Sequence, residues 1–307
     1  MVKDFASDEM MMMSAASPST TFFPSLESLY LSDCPNLKGW WRNETALASA
    51  SSFPCLSTLT IDDSPNLTSM PLYPNLDRLE LERSSWKVLT SSFVLSKLKS
   101  LEISGVEDIE YVPEEWIGNL TLLEELEIED CPNLVSLPDQ GIGNLISLQR
   151  LHISNCPNLV SLPDQGMGRL ISLQRLHISY CPKLASLPEG IGNLTLLHDL
   201  LIGDCPNLVS LPEWFQCLIS LQELQIQNCP KLASLPEGMG NLKSLQLLWI
   251  WNFPNLASLP EGLRCLASLK NLIIQDCPIL KQRCQKETGE DWSKIAHIPE
   301  ISIGAFF

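Results

Sequence analysis

Basic residues are scarce in this sequence. It has 20 Lys and Arg against 36 Asp and Glu in 307 residues, a net charge of −16 and a pI near 4.6. No Lys/Arg block interrupts that balance, so nucleic acid, whose phosphates need compensating cations, is not expected as a partner. An anionic membrane is disfavoured by the same repulsion. No apolar run approaches ~18 residues, so no segment reads as a spanning helix. Eleven cysteines include no CxxC pair, so the usual paired spacing of zinc ligands is missing. There is no G-x-S-x-G nucleophile elbow. There is no Gly-Lys pair either, which removes the phosphate-cradling loop G-x-x-x-x-G-K-[ST]. The opening MVKDFASDEMMMM carries Asp4, Asp8 and Glu9 where an export signal is basic, and its Met run is too short for an apolar signal core. Residues 1–21 therefore read as a flexible leader or a truncation scar. The compartment expected is the cytoplasm, with the nucleus also open to the chain. Sequons at Asn43, Asn66, Asn119 and Asn193 then read as polar turns.

What the sequence does have is repetition. SLQRLHIS stands at 147–154 and again at 172–179. A frame L-x-x-L-x-(I/L) runs from Leu26/Leu29/Leu31 to Leu269/Leu272/Ile274, with a degenerate twelfth unit at Ile298/Ile301/Ile303. Cys131, Cys156, Cys181, Cys205 and Cys229 follow the same period, 25, 25, 24 and 24 residues apart. That period lies in the range of leucine-rich repeats. A helical array is excluded twice over. Proline recurs within each unit, as in CPNLVSLPDQG, and would break helices. The L-x-L alternation also has the period of a strand.

The expected fold is thus α/β: a curved leucine-rich-repeat solenoid of about 12 units spanning residues 22–280, with a C-terminal cap at 281–307 that holds the last, degenerate repeat. Parallel strands, ~4.8 Å apart, would line the concave face, with loops and short helical turns on the convex side. The central Leu and the next Ile/Leu of each unit point inward. The Cys three residues further on turns into the core, as a small buried thiol can. Ser64 and Phe253 hold the same frame position, so thiol chemistry is not required there.

The consensus SLQxLxIxxCPxLxSLPEGIGNL resembles the repeats of plant intracellular immune receptors of the nucleotide-binding leucine-rich-repeat (NLR) class. Extracellular plant receptors carry L-x-G-x-I-P after the strand, where this chain reads SLPEG or SLPDQ. The stretch FFPSLESLYLSDCPNLKGWW is similar to a late repeat of the coiled-coil subclass, and the tail CPILKQRCQKETGEDWSKIAHIPEISI to the end of such receptors. The resemblance implies the sensor part of a disease resistance protein, which recognises a pathogen effector or host protein and helps hold the receptor inactive. The nucleotide switch of those receptors has no counterpart here, because its Gly-Lys loop is missing.

Chemistry-bearing clusters are few. His152 and His177 fall on adjacent strands near Glu127, which raises a metal or pH-switch reading. Arg150 and Arg175 stand beside them and would repel a cation, so a solvated polar face is favoured and neither metal nor cofactor is expected. The informative surface is the outward row set: acidic at Glu125, Glu127 and Glu129, basic at Arg150, His152, Arg175 and His177, then apolar at Leu247, Trp249, Trp251 and Ile273. Trp and Arg are enriched at interface hot spots, and a contiguous exposed apolar patch marks a contact. The two indoles are expected to be exposed. These residues are the candidate surface for a protein partner, whether effector, host protein or a nucleotide-binding domain outside this chain. A stand-alone adaptor or scaffold is the alternative, and an extracellular ectodomain a third reading.

Overall fold

The computed structural model describes residues 23–39, 53–70, 73–89 and 95–304. The leader at 1–21 and the sequon at Asn43 lie outside them. The chain forms a single sheet of twelve parallel strands whose spatial order is their order in sequence. They are β1 Ser28–Leu31, β2 Thr58–Asp62, β3 Arg78–Glu82, β4 Ser100–Ser104, β5 Glu125–Glu129 and β6 Arg150–Ser154. β7 Arg175–Ser179, β8 Asp199–Gly203, β9 Glu223–Gln227, β10 Leu247–Trp251, β11 Asn271–Gln275 and β12 Glu300–Gly304 complete the sheet. The pairing register follows the sequence frame: Leu126, Leu151, Leu176 and Leu200 are successive partners, and so are Ile128, Ile153, Ile178 and Ile202. The fold is a leucine-rich-repeat solenoid.

The period-2 pattern explains the strands. Leu176 and Ile178 are fully buried, whereas the alternating Arg175 and His177 face outward. Each buried Leu or Ile contributes about 1.5–3 kcal/mol, and a one-residue slip would expose the whole inward set. The chain returns along the opposite side in short helical turns such as α1 Glu114–Ile117, α2 Asp139–Gly143 and α3 Asp164–Gly168, and tighter turns such as Glu189–Asn193 and Glu213–Cys217. A proline precedes each of these five turns. Glycine is needed there because neighbouring turns nearly touch. A Cβ on Gly166 would lie 2.3 Å from the Asp139 carbonyl oxygen, and one on Gly190 2.0 Å from that of Asp164.

Ladders of hydrogen bonds join the repeats. Asn66, Asn133, Asn158 and Asn207 each donate Nδ2 to a backbone carbonyl of the preceding repeat, at 2.7–2.8 Å. The sequon Asn66 is one of these, and the sequon Asn119 donates Nδ2 to Glu115 O at 2.7 Å. The cysteine column is buried and unbridged. Cys156, Cys181 and Cys205 donate Sγ–H to the strand carbonyl two residues back at 3.2–3.3 Å. Ser64 and Ser84 make the same bond with Oγ, at 3.1 and 2.8 Å. Burial pushes the Cys181, Cys205 and Cys229 thiols up to about 12, so they stay protonated and weak as nucleophiles.

One residue past the strands from β2 to β11 the backbone turns left-handed. Asp130, Asn155, Tyr180, Asp204, Asn228, Asn252 and Asp276 have φ between 46° and 59°. Asn and Asp tolerate this region, which accounts for the recurring Asx-Cys pairs. Their N–H groups carry the ladder on, as in Asn155 N to Ser179 O at 3.1 Å. Tyr180 and, after β3, Arg83 with φ 44° are the bulky exceptions.

The C-terminal end is built differently. After β11 come α4 Pro278–Arg283 and α5 Trp292–Ile295, and then β12 pairs with β11. Asp291 is fully buried here. Its carboxylate accepts from Arg283 Nε and Nη2 at 2.9 and 3.0 Å, from Lys294 Nζ at 2.9 Å and from Leu259 N at 3.0 Å. Burial alone would raise its pKa. The hydrogen bonds from Arg283, Lys294 and Leu259 outweigh that and hold it below the usual carboxylate value.

Candidate functional site

The strands place three outward positions per repeat on the concave face, and parallel register stacks them into rows. Glu125, Arg150, Arg175 and Asp199 are neighbours in the first row. Glu127, His152, His177 and Leu201 are neighbours in the second. The sequence-derived groups therefore come together as adjacent columns, in three patches.

The first patch is acidic. Glu80, Glu102 and Glu127 are successive register partners on β3, β4 and β5. The Glu102 carboxyl is raised above the usual carboxylate value, first by burial and then by the like charges of Glu127, Glu80 and Glu129. Arg78 relieves part of that repulsion, 2.6 Å from Glu80 and 3.5 Å from Glu102.

The second patch is mixed. Arg150 pairs with Glu125. His177 Nε2 lies 3.0 Å from Asp199 Oδ2. The His152 and His177 rings meet edge to face with centroids 5.9 Å apart. A hollow of about 180 Å³ opens among these side chains, floored by Leu126 and Leu151. Glu127, Glu129 and His152 bring one ligand atom each to within 4.8 Å of one another, the one group of this kind among the described residues. Exposed ion pairs of this sort contribute ~0–1 kcal/mol each to stability.

The third patch is apolar. Trp249 and Ile273 are register partners, as are Trp251 and Gln275. Both indoles point outward, but the expectation that they stand exposed needs correction: Leu247, Trp249, Trp251 and Ile273 are all half-buried. Strands ~4.8 Å apart leave too little room for an indole to stand clear of its neighbours. Trp251 Nε1 also donates to Asp276 Oδ2 at 2.9 Å. The patch is a rigid, partly sunken surface.

One surface escapes the outward-row pattern. The loops that enter the strands carry Leu122, Ile146, Ile171, Leu196 and Ile219, each 49–60% exposed and one per repeat from β5 to β9. The signal was present in the T-L-L and I-S-L triplets before each strand, but the inward Leu beside them masks it. Among the described residues no helix is long and apolar enough to cross a membrane.

Residues 75–187 match the family described as plant disease resistance protein RPS2-like, leucine-rich repeats, and residues 179–305 match one described as a leucine-rich repeat region. The first match covers the acidic patch and the mixed patch except Asp199, and the second covers the apolar one. Among solved structures, the leucine-rich repeat domain of the type III effector XopL is similar at 26% identity and a TM-score of 0.61, over 82% of this chain and 77% of that one. A leucine-rich-repeat protein of Leptospira interrogans superposes with a TM-score of 0.64 at 20% identity, over 89% of this chain and 66% of that one, and speaks to the fold alone. No curated protein sequence matches the chain.

Proposed function

We propose that this solenoid is a non-catalytic protein-recognition domain of a plant disease resistance receptor. It would sense a pathogen effector or a host protein in the cytoplasm and contribute to holding the receptor inactive. The observation that carries the reading is the concave face itself. Its inward residues repeat almost without change, while its outward residues change chemistry patch by patch on the same rigid backbone. Repeat proteins use such concave surfaces to bind other proteins. The RPS2-like match over residues 75–187 and the resemblance of the repeats and tail to the NLR class support the plant assignment.

In this reading Trp249, Trp251, Leu247 and Ile273 form the anchor. A rigid, half-buried aromatic surface loses little conformational entropy when a partner covers it. Glu125, Glu127 and Glu129 with Arg150 and Arg175 supply charge on β5 to β7, with β8 and β9 between them and the anchor, and charge of this kind sets orientation and association rate more than affinity. Autoinhibition follows if the same face binds another receptor domain better in the resting state. A partner then shifts the switch only by its differential affinity for the two states.

Quantitative affinity capture from plant extract, with the wild-type chain and the Trp249→Ala/Trp251→Ala variant side by side, tests the proposal. It predicts at least one defence-related protein that the wild type retains and the folded variant loses. Identical captured sets would place recognition elsewhere.

A further inference from the structure

The most unusual chemistry outside the apolar patch is the meeting of Glu127, Glu129 and His152. Glu127 and His152 are direct register partners across β5 and β6. His152 Nε2 is shielded from solvent and makes no hydrogen bond, although Glu129 Oε1 lies 2.9 Å away. Nitrogen and oxygen donors thus converge on one point of the face, with one ligand atom each from Glu127, Glu129 and His152 within 4.8 Å of the others.

Arg150 and Arg175 both border the hollow beside His152, and both stand in the first row. Arg150 is paired with Glu125 in the first row. Glu129 lies in the third row, four residues or ~13 Å along the strand. The charges that meet His152 Nε2 are the carboxylates of Glu127 and Glu129. The hollow beside His152 and Glu127 leaves a route for solvent and ions.

We propose that Glu127, Glu129 and His152 form a divalent transition-metal site on the concave face. One imidazole nitrogen with carboxylate oxygens suits zinc or a neighbour in the series better than magnesium or calcium, which prefer all-oxygen shells. Two ligands of a tetrahedral zinc, each ~2.1 Å from the ion, stand ~3.4 Å apart. The present separations, 2.9 Å between His152 Nε2 and Glu129 Oε1 and all within 4.8 Å, lie around that value, within reach of side-chain rotation. Three protein ligands leave a coordination position open toward the concave space. The site is independent of the recognition reading: it stands or falls on its own residues.

The test uses the full chain with Cys34→Ser, Cys55→Ser, Cys217→Ser and Cys265→Ser in every sample, because these are the thiols with solvent access. Zinc chloride alone is titrated in a calorimeter, and metal content is measured after dialysis. The expected result is one saturable zinc per chain that millimolar magnesium does not displace. His152→Ala and Glu129→Gln should each weaken it at least about tenfold. His177→Ala, whose ring is held by Asp199, should change it less than about twofold. Circular dichroism of each variant confirms that the fold is intact. No saturable zinc would overturn the site. Zinc binding that His152→Ala leaves unchanged would overturn it as well.

Discussion

The two faces of the same sheet obey different rules. From β5 to β11 the inward central position is Leu in every strand: Leu126, Leu151, Leu176, Leu200, Leu224, Leu248 and Leu272, all buried. Its companion two residues on is always Ile. The outward triplets of those strands read E-E-E, R-H-S, R-H-S, D-L-G, E-Q-Q, L-W-W and N-I-Q. Only the duplicated pair is the same. The inward face fixes backbone position and register for both, so the outward face can change without changing the fold. The duplicated SLQRLHIS shows both rules at once, since the copy preserved the core by necessity and the surface by descent.

The largest effect should come from the place where the inward rule is broken. Asp291 is a buried charge in the cap, satisfied by Arg283, Lys294 and Leu259. Asp291→Ala removes the buried carboxylate that Arg283 and Lys294 share, leaving them only Glu290 and Glu261, and should cost about 3–5 kcal/mol, read as a shift in a urea melt. Leu176→Ala should cost about 2–5 kcal/mol through the cavity it leaves. His177→Ala, one residue further along β7, should stay within about 0.5 kcal/mol. Equal losses at 176 and 177 would erase the distinction between the faces.

Acid sharpens the contrast. The Asp291 carboxyl has a lower pKa folded than unfolded, so its stabilisation is fully present above the ordinary carboxylate value near 4. It is lost as pH falls through the lower folded value. Melts between pH 5 and about 2 should show a steeper loss for the wild type than for Asp291→Asn. A smaller effect of opposite sign is expected at Tyr180, which is exposed and sits at φ 52°. Tyr180→Asn restores the residue type that neighbouring repeats use there and should stabilise by about 1 kcal/mol. A destabilised variant would mean that the tyrosine ring makes a contact worth more than the strain.

The inward face was readable from the amino acids, because a leucine frame with a period of 24–25 residues leaves one way to stack. The twelve strands fall on the twelve frames. The Cys column was readable for the same reason; Ser64 and Ser84 show that the position accepts a small donor, and the buried Phe253 that it does not require one. Less was legible on the outer face. Row membership follows from period 2, so the neighbours of Glu127 and His152 could be named. Side-chain rotation could not: the sequence set His152 against Glu127, whereas its Nε2 lies beside Glu129. The half-burial of the tryptophans depends on the width of their neighbours across the sheet, which no pattern along one strand records. The cap was recognisable only by resemblance, since Arg283, Asp291 and Lys294 follow no period.

The central claim is that the inward residues hold the solenoid and the outward residues of β10 and β11 bind a protein. The most direct measurement combines a urea melt of Trp249→Ala/Trp251→Ala with its partner capture against wild type. The account predicts a melt nearly unchanged beside that of Leu176→Ala, together with binding weakened by at least about 2 kcal/mol. A variant that melts much earlier yet captures its partner normally would make the tryptophans packing residues and contradict the claim.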